Sequence, residues 1–317
     1  MEQKTVTMHS GISQKKWKNP FQNKNNLSLH LMMIPGLLLI LIFSYIPMVG
    51  IFIAFQKFIP AKGIFGNQKW VGFDNFIYMA TMPSSWLVLR NTVVIASLKI
   101  VTGLVVPIVF ALMINEVRKN TLKRTIQTLI YLPHFLSWVI LSGVLIDILS
   151  PSSGLANKLI SILGFNPIFF LGDNKWFQPM IVVTNVWKTF GFGTVIYLAA
   201  ITGIDQQLYE AAIVDGAGRM RQTWHVTLPG MRMIIVLMMV LSLGSVLDAG
   251  FDQIFNLYSP VVYQTGDIID TMVYRIGLLD AQYGPATAIG LLKSIVAFLM
   301  ISISYLAAYK FADYRIF

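Results

Sequence analysis

Glu210-Ala211-Ala212-Ile213-Val214-Asp215-Gly216-Ala217, followed by Val226-Thr227-Leu228-Pro229, is the stretch on which the reading of this chain turns. It forms a polar island between two long apolar segments, 178–202 and 233–251. Asp205 is placed to cap a helix over Gln206 to Val214. Gly216 permits a break or a close backbone approach. Ala211, Ala212 and Ala217 are small, so a helix carrying them can press deep into a groove on a partner. Arg219, Arg221 and His225 fall on a second short helical piece, which Leu228-Pro229 is expected to end. A plain connector between two apolar helices needs no such fixed spacing.

Outward from this island the chain is apolar. Hydrophobic residues make up 56% of the 317 and charged residues only 12%, about half the share of a soluble domain. The apolar residues gather into runs near 29–54, 91–114, 127–148, 178–202, 233–251 and 286–309. Each reaches the ~20 residues that cross a bilayer, so six transmembrane helices are expected and the fold class is all-α integral membrane. Helices follow because each backbone polar group in lipid needs an internal partner. The alternation of a membrane β-barrel is absent. Pro35, Pro47 and Pro107 lie inside spans as candidate kinks. The chain divides into a polar basic tail, 1–28, and a six-helix domain, 29–317, which holds the connecting loop at about 203–232. The tail lacks the short apolar core of a signal peptide.

Loop charge sets the orientation. With the N-terminus inside, segments 1–28, 115–126, 203–232 and 310–317 carry fourteen Lys and Arg, against seven in 55–90, 149–177 and 252–285. Positive residues collect in cytoplasmic loops, so both termini and the Glu-Ala-Ala segment are expected inside. The net charge of +10 is thereby explained by topology, with no nucleic acid partner. No cysteine is present, which excludes disulfides, thiol catalysis and Cys-bound zinc. His9, His30, His134 and His225 are scattered without metal-ligand spacing. The outer loops are rich in aromatics, including Trp70, Phe73, Phe76, Trp86, Phe169 and Trp176. These suit the membrane–water interface or a docking surface for an external partner.

The island resembles the EAA loop of ABC importer permeases: Glu-Ala-Ala, three residues, Gly, nine residues, Ile, one residue, Leu-Pro. Only the Ile departs, being Val226. The resemblance extends to Val71-Gly72-Phe73-Asp74-Asn75-Phe76, Asn91-Thr92, Trp187 to Ile204, and Tyr283-Gly284-Pro285-Ala286-Thr287-Ala288-Ile289-Gly290, and covers most of 29–317. The chain resembles carbohydrate permeases of the LplB and YteP type. The resemblance implies the type I (MetI-like) permease fold in a bacterial plasma membrane. It also implies a second, homologous permease subunit, two ATPase subunits and an extracellular solute-binding lipoprotein that delivers an oligosaccharide. On this basis Glu210, Ala211, Ala212, Asp215, Gly216, Ala217, Leu228 and Pro229 couple the permease to the ATPases. The chain has no G-x-x-x-x-G-K-[ST] phosphate loop, so it is expected to be non-catalytic. It then needs no cofactor of its own, and ATP and Mg belong to the partner ATPases.

Three lysines, Lys99, Lys188 and Lys293, fall inside predicted spans. Charges at that depth usually face the protein interior or a water-filled path. Lys188 reads either as a path residue or as a paired or snorkelling cation, and Asn185, Trp187 and Tyr197 on the same span are, with Lys99 and Lys293, further candidates for lining a sugar path. Asp147 and Asp248 are candidate partners for Lys99 and Lys293. Three intramembrane cations suit an acidic, for instance pectin-derived, oligosaccharide. The alternatives are an ABC permease for another solute and an ion-coupled secondary transporter. The latter is expected to show inverted repeats or broken helices, and neither is visible in the sequence.

Overall fold

A computed structural model of the chain describes residues 24–312. The basic tail therefore lies almost wholly outside the described residues, as does 313–317. Two units divide at Gly50 and Ile51. The first contains most of span α1 (His30–Phe55), whose large apolar side chains from Leu31 to Met48 are mostly exposed, as lipid-facing residues are.

The second unit opens with a two-stranded antiparallel hairpin, β1 (Gln56–Lys57) and β2 (Lys69–Trp70), with Gln56 opposite Trp70. Helix α2 (Asp74–Thr81) leads into the long span α3 (Pro83–Asn115). Then come α4 (Asn120–Tyr131), α5 (Trp138–Leu149) and the short outer helix α6 (Leu155–Ile162). Span α7 (Asn174–Thr202) is followed by α8 (Gln206–Val214) and a continuous helix α9 (Arg219–Leu243). Helices α10 (Phe251–Leu257) and α11 (Ile269–Tyr274) fold the last outer loop before α12 (Tyr283–Ala312).

The principal helix pairing is α3 against α7. An inner core of Ala111, Ile114, Tyr197, Leu198, Ile201, Ile204 and Met231 closes one end of the bundle. A second core, including Ile95, Leu141, Phe177, Ile181, Ile254 and Ile268, closes the other.

Among the described residues five helices are long and apolar enough to cross a membrane, and a bent pair, taken as one span, makes a sixth. The expectation of one straight span over 127–148 is corrected here. Asn120–Phe135 and Trp138–Leu149 meet at 104°. Pro133 lies in the 3₁₀ turn Leu132–Phe135, and Leu136 is extended. A proline cannot donate to the helical ladder, and Ser137 restarts it by accepting from the Ile140 amide at 3.3 Å. Tertiary contacts hold the bend. The Lys188 ammonium donates to the His134 carbonyl at 2.8 Å, and the His134 ring stacks on Phe192 at 4.3 Å. Gly191 lets α7 approach α4 so closely that a Cβ there would sit 2.0 Å from the Ile130 carbonyl oxygen. A broken helix is therefore present, and the sequence argument that excluded one fails.

The fifth span is also displaced. It was expected at 233–251, yet the helix runs Arg219–Leu243 and the chain is irregular from Gly244 to Gly250. Gly250 at φ +87 sits where other residues are strained. Irregular backbone at membrane depth is tolerated where it is buried or lines a cavity. Here Leu247 and Ala249 are buried, while Ser245, Asp248 and Gly250 line a cleft.

Candidate functional site

The loop after α7 is built from local rules. Ile204, buried in the inner core, anchors its start. The Asp205 carboxylate accepts from the Gln207 amide at 3.0 Å and caps α8. At the other end the Ala217 amide donates to the Ala212 carbonyl at 2.8 Å and the Gly216 amide to the Ile213 carbonyl at 3.0 Å. With Gly216 at φ +75, this is a Schellman motif, in which a left-handed glycine closes the last turn of a helix. The spacing from Glu-Ala-Ala to Gly thus has a local cause. The second alanine supplies the carbonyl that the motif closes on, and the glycine supplies the backbone angle.

Leu228-Pro229 does not end the second helical piece, contrary to expectation. A π-helical turn over Thr223–Thr227 carries the helix through the proline and into the membrane. The wider turn accommodates the place where Pro229 has no amide to donate. Three contacts hold the two arms of the loop. Tyr209 and Thr227 share a hydroxyl hydrogen bond at 3.0 Å, and Gln222 donates to the Ala217 carbonyl at 2.7 Å. Arg219 pairs with Glu116, at the end of α3, at 2.6 Å. Glu210, Ala211, Asp215 and Gly216 are exposed, while Ala212 and Ala217 are half-buried. Ile213, Val214, Met220 and Trp224 are also exposed apolar residues, so the loop presents a mixed small, apolar and acidic surface.

Between α3, α7 and the irregular segment lies a cavity of about 310 Å³. Lys99, Asn185, Thr189, Ser242, Ser245 and Asp248 line it. The Lys99 ammonium donates to the Ala249 carbonyl at 2.6 Å, which satisfies the unwound backbone, and to Gln253 Oε1 at 2.5 Å. Gln253 in turn donates to the Ile181 carbonyl at 2.8 Å and to Thr184 Oγ1 at 2.9 Å. This network joins α3, α7 and α10.

Of the six path residues expected from sequence, only Lys99 and Asn185 come together in this cavity. Lys188 is buried, with its ammonium on the His134 carbonyl and 5.5 Å from the Trp138 ring centroid. It serves the bend of the third crossing. Trp187 is largely exposed, and Tyr197 is buried in the inner core. Lys293 pairs with Asp270 at 2.5 Å, a partner outside the two that were considered. Asp248 does share the Lys99 cavity. Ser242, Ser245 and Gln253 were missed, since nothing local distinguishes them from packing residues.

The outer loop is a structured cap. Asp267, buried, accepts two hydrogen bonds from Arg275, at 2.6 and 3.1 Å, and one from Thr271 at 2.8 Å. Arg275 also lies over the Tyr263 ring. The Asp267 carboxylate holds the Arg275 guanidinium above its ordinary range. Burial, with help from neighbouring Tyr263 and Asp267, pushes the Tyr258 hydroxyl up to about 12. Asn91 donates to the Asp267 carbonyl at 3.2 Å, and Thr92 accepts from the Ile269 amide at 2.9 Å. The Asn91-Thr92 pair singled out in the sequence thus fastens the cap to α3.

The described chain is thus a bundle of membrane-length helices with a structured polar loop and an open cleft that holds Lys99 and Asp248. The family model described as "Binding-protein-dependent transport system inner membrane component" matches residues 103–316. Protein LplB of Bacillus subtilis (strain 168) is 43% identical over 93% of this chain and 92% of its own length. The polygalacturonan/rhamnogalacturonan transport system permease protein YteP of the same organism is 42% identical over 91% and 90%. A solved bacterial ABC transporter involved in the import of the acidic polysaccharide alginate matches at TM-score 0.84 and 37% identity, over 91% of this chain and 97% of that one. The chain belongs to the binding-protein-dependent transport system inner membrane component family and is a multi-pass membrane permease.

Proposed function

We propose that this chain forms one half of the translocation path of an ABC importer for an oligosaccharide, acidic in character. The observation that carries this reading is the similarity over nearly the whole chain to permeases named for pectin-type polysaccharides and alginate. The interior cavity adds a physical reason. Lys99 is its one cation and Asp248 its one carboxylate, set among hydroxyl and amide groups that suit sugar hydroxyls.

A second, homologous permease supplies the other half of the path, and an external binding protein delivers the sugar. Two ATPase subunits bind ATP and Mg and seat the 203–232 loop. Glu210 offers the loop's polar contact, and Ala211, Ala212 and Ala217 allow close approach. Gly216 fixes the turn, and Leu228-Pro229 passes the motion into α9. The termini lie on the ATPase side, where loop charge places them.

Uptake of labelled trigalacturonate and of neutral maltotriose into cells carrying the importer tests the substrate. Lys99→Met is expected to reduce acidic uptake more than neutral. Equal loss of both would remove the role given to Lys99.

A further inference from the structure

Two sequence motifs have no part in the coupling loop or the interior cavity: Val71 to Phe76, and Tyr283-Gly284-Pro285. The structure brings them together. The Asn75 amide donates to the Ala54 carbonyl at 2.8 Å and the Gln56 carbonyl at 3.1 Å. Gly284 lies against the same groups, and a Cβ there would sit 2.7 Å from Asn75 Nδ2 and 2.8 Å from the Gln56 oxygen. This clasp fixes the hairpin to the start of α12 and leaves a cleft of about 600 Å³ beside it. Its volume falls within the range of small-molecule sites.

The lining is mixed. Tyr78 and Tyr283 supply aromatic surface, Gln56 and Gln282 amides, Lys57 a cation and Asp74 a carboxylate. Tyr283 is braced edge-on by Phe58 at 5.8 Å. Gln56 Oε1 is buried with no hydrogen-bond partner, and buried polar atoms are rarely left so. Ala281, in the same wall, has φ +54, the only positive φ of a residue other than glycine among those described. Strain of this kind persists where the surroundings hold it and gathers at ligand sites. Lys57 has no acidic partner among the described residues.

We infer that this cleft is a saccharide-binding site on the outer rim of the permease, separate from the interior cavity. It takes one terminal sugar unit against Tyr78, with its hydroxyls on Gln56 and Gln282 and a uronate carboxylate on Lys57. The inference rests on the carbohydrate reading given above. An aromatic face with polar groups around it matches a sugar ring, which has apolar faces and a polar edge. The mixed charge of Lys57 and Asp74 suits a ligand carrying both a carboxylate and hydroxyl donors.

The test is saturation-transfer NMR on the full chain in lipid nanodiscs, with trigalacturonate and maltotriose as probes. The variants are Tyr78→Ala, Lys57→Ala and, in the interior cavity, Lys99→Met, each checked for an unchanged melting profile. Loss of a charged contact predicts about tenfold weaker trigalacturonate binding in Lys57→Ala. In the Lys99→Met background, which removes the interior cation, Tyr78→Ala is expected to abolish the signal that remains. A signal that survives Tyr78→Ala but vanishes in Lys99→Met overturns the outer site while leaving the importer reading intact. A maltotriose signal abolished by Tyr78→Ala, with none from trigalacturonate, upholds the site and refutes the acidic substrate. No signal from either sugar overturns the site. So does a Tyr78→Ala protein that binds sugar normally but no longer captures its external binding protein, because the cleft would then be a protein docking surface.

Discussion

Replacing Gln253 by Leu probes the polar network that holds the interior cavity. Gln253 is 1% exposed, and its side chain makes three hydrogen bonds. Leu has nearly the same volume, so little cavity opens. The Ile181 carbonyl lies within helix α7, and Thr184 still donates to the Met180 carbonyl at 2.6 Å. The loss therefore falls mainly on the Lys99 ammonium, which keeps only the Ala249 carbonyl. A hydrogen bond to a buried charge is worth about 2 kcal/mol, and that is the destabilisation expected for Gln253→Leu. In a Lys99→Met background the charge is gone, and the same substitution should cost less than about 1 kcal/mol. The double-mutant cycle, read from unfolding in mixed micelles by denaturing detergent, should then return a coupling of about 1–2 kcal/mol. Additive effects would mean that Gln253 and Lys99 do not depend on one another, which this network does not allow.

Gly216→Ala has open space around its new methyl, so its cost is backbone strain alone, about 1 kcal/mol. ATP-driven uptake should fall, and Gly216→Asn, which tolerates the left-handed region, should fall less. The Glu116–Arg219 pair is half-exposed, so breaking it should shift stability by less than about 1 kcal/mol. Uptake per ATP hydrolysed should nevertheless drop in Glu116→Arg and in Arg219→Glu and recover in the double exchange, as reconstituted proteoliposomes would reveal. Asp267→Asn leaves Arg275 without its carboxylate in a nearly buried site. A loss of about 3 kcal/mol is expected, measurable as a lower midpoint in the same detergent titration.

Much of this fold was legible because one constraint dominates. Apolar runs of bilayer length have few alternatives to helices, so the expected bounds of α1, α7 and α12 agree with the structure to within four residues, and α3 agrees at its C-terminal end but begins eight residues earlier, at Pro83. The Glu-Ala-Ala to Gly spacing was legible for a related reason, since a Schellman closure is local in sequence. The misses come from tertiary contacts. Hydropathy does not sense that Lys188 will satisfy the His134 carbonyl, or that Gly191 will bring α7 onto Ile130, and these contacts hold the third crossing bent. It rewards Val246, Leu247 and Ala249 as membrane residues and penalises Arg219, Arg221 and Arg232. The fifth helix was therefore placed too late in the chain, and the irregular Gly244–Gly250 segment was hidden. Gln253 and Asp270 take their roles from residues far away in sequence, and no spacing announces them.

The coupling proposed for the 203–232 loop joins this permease to separate ATPases. It is tested most directly by purifying the tagged chain from its native membrane in mild detergent. The associated proteins are then identified and sugar uptake by the reconstituted assembly is measured. Coupling through this loop predicts recovery of an ATPase, a second permease and a binding protein, with ATP-dependent uptake. ATPase association should be lost in Glu210→Lys or Gly216→Trp while the second permease is retained. A chain that purifies alone and moves sugar without ATP, or an ATPase that stays bound to both variants with uptake intact, would contradict it.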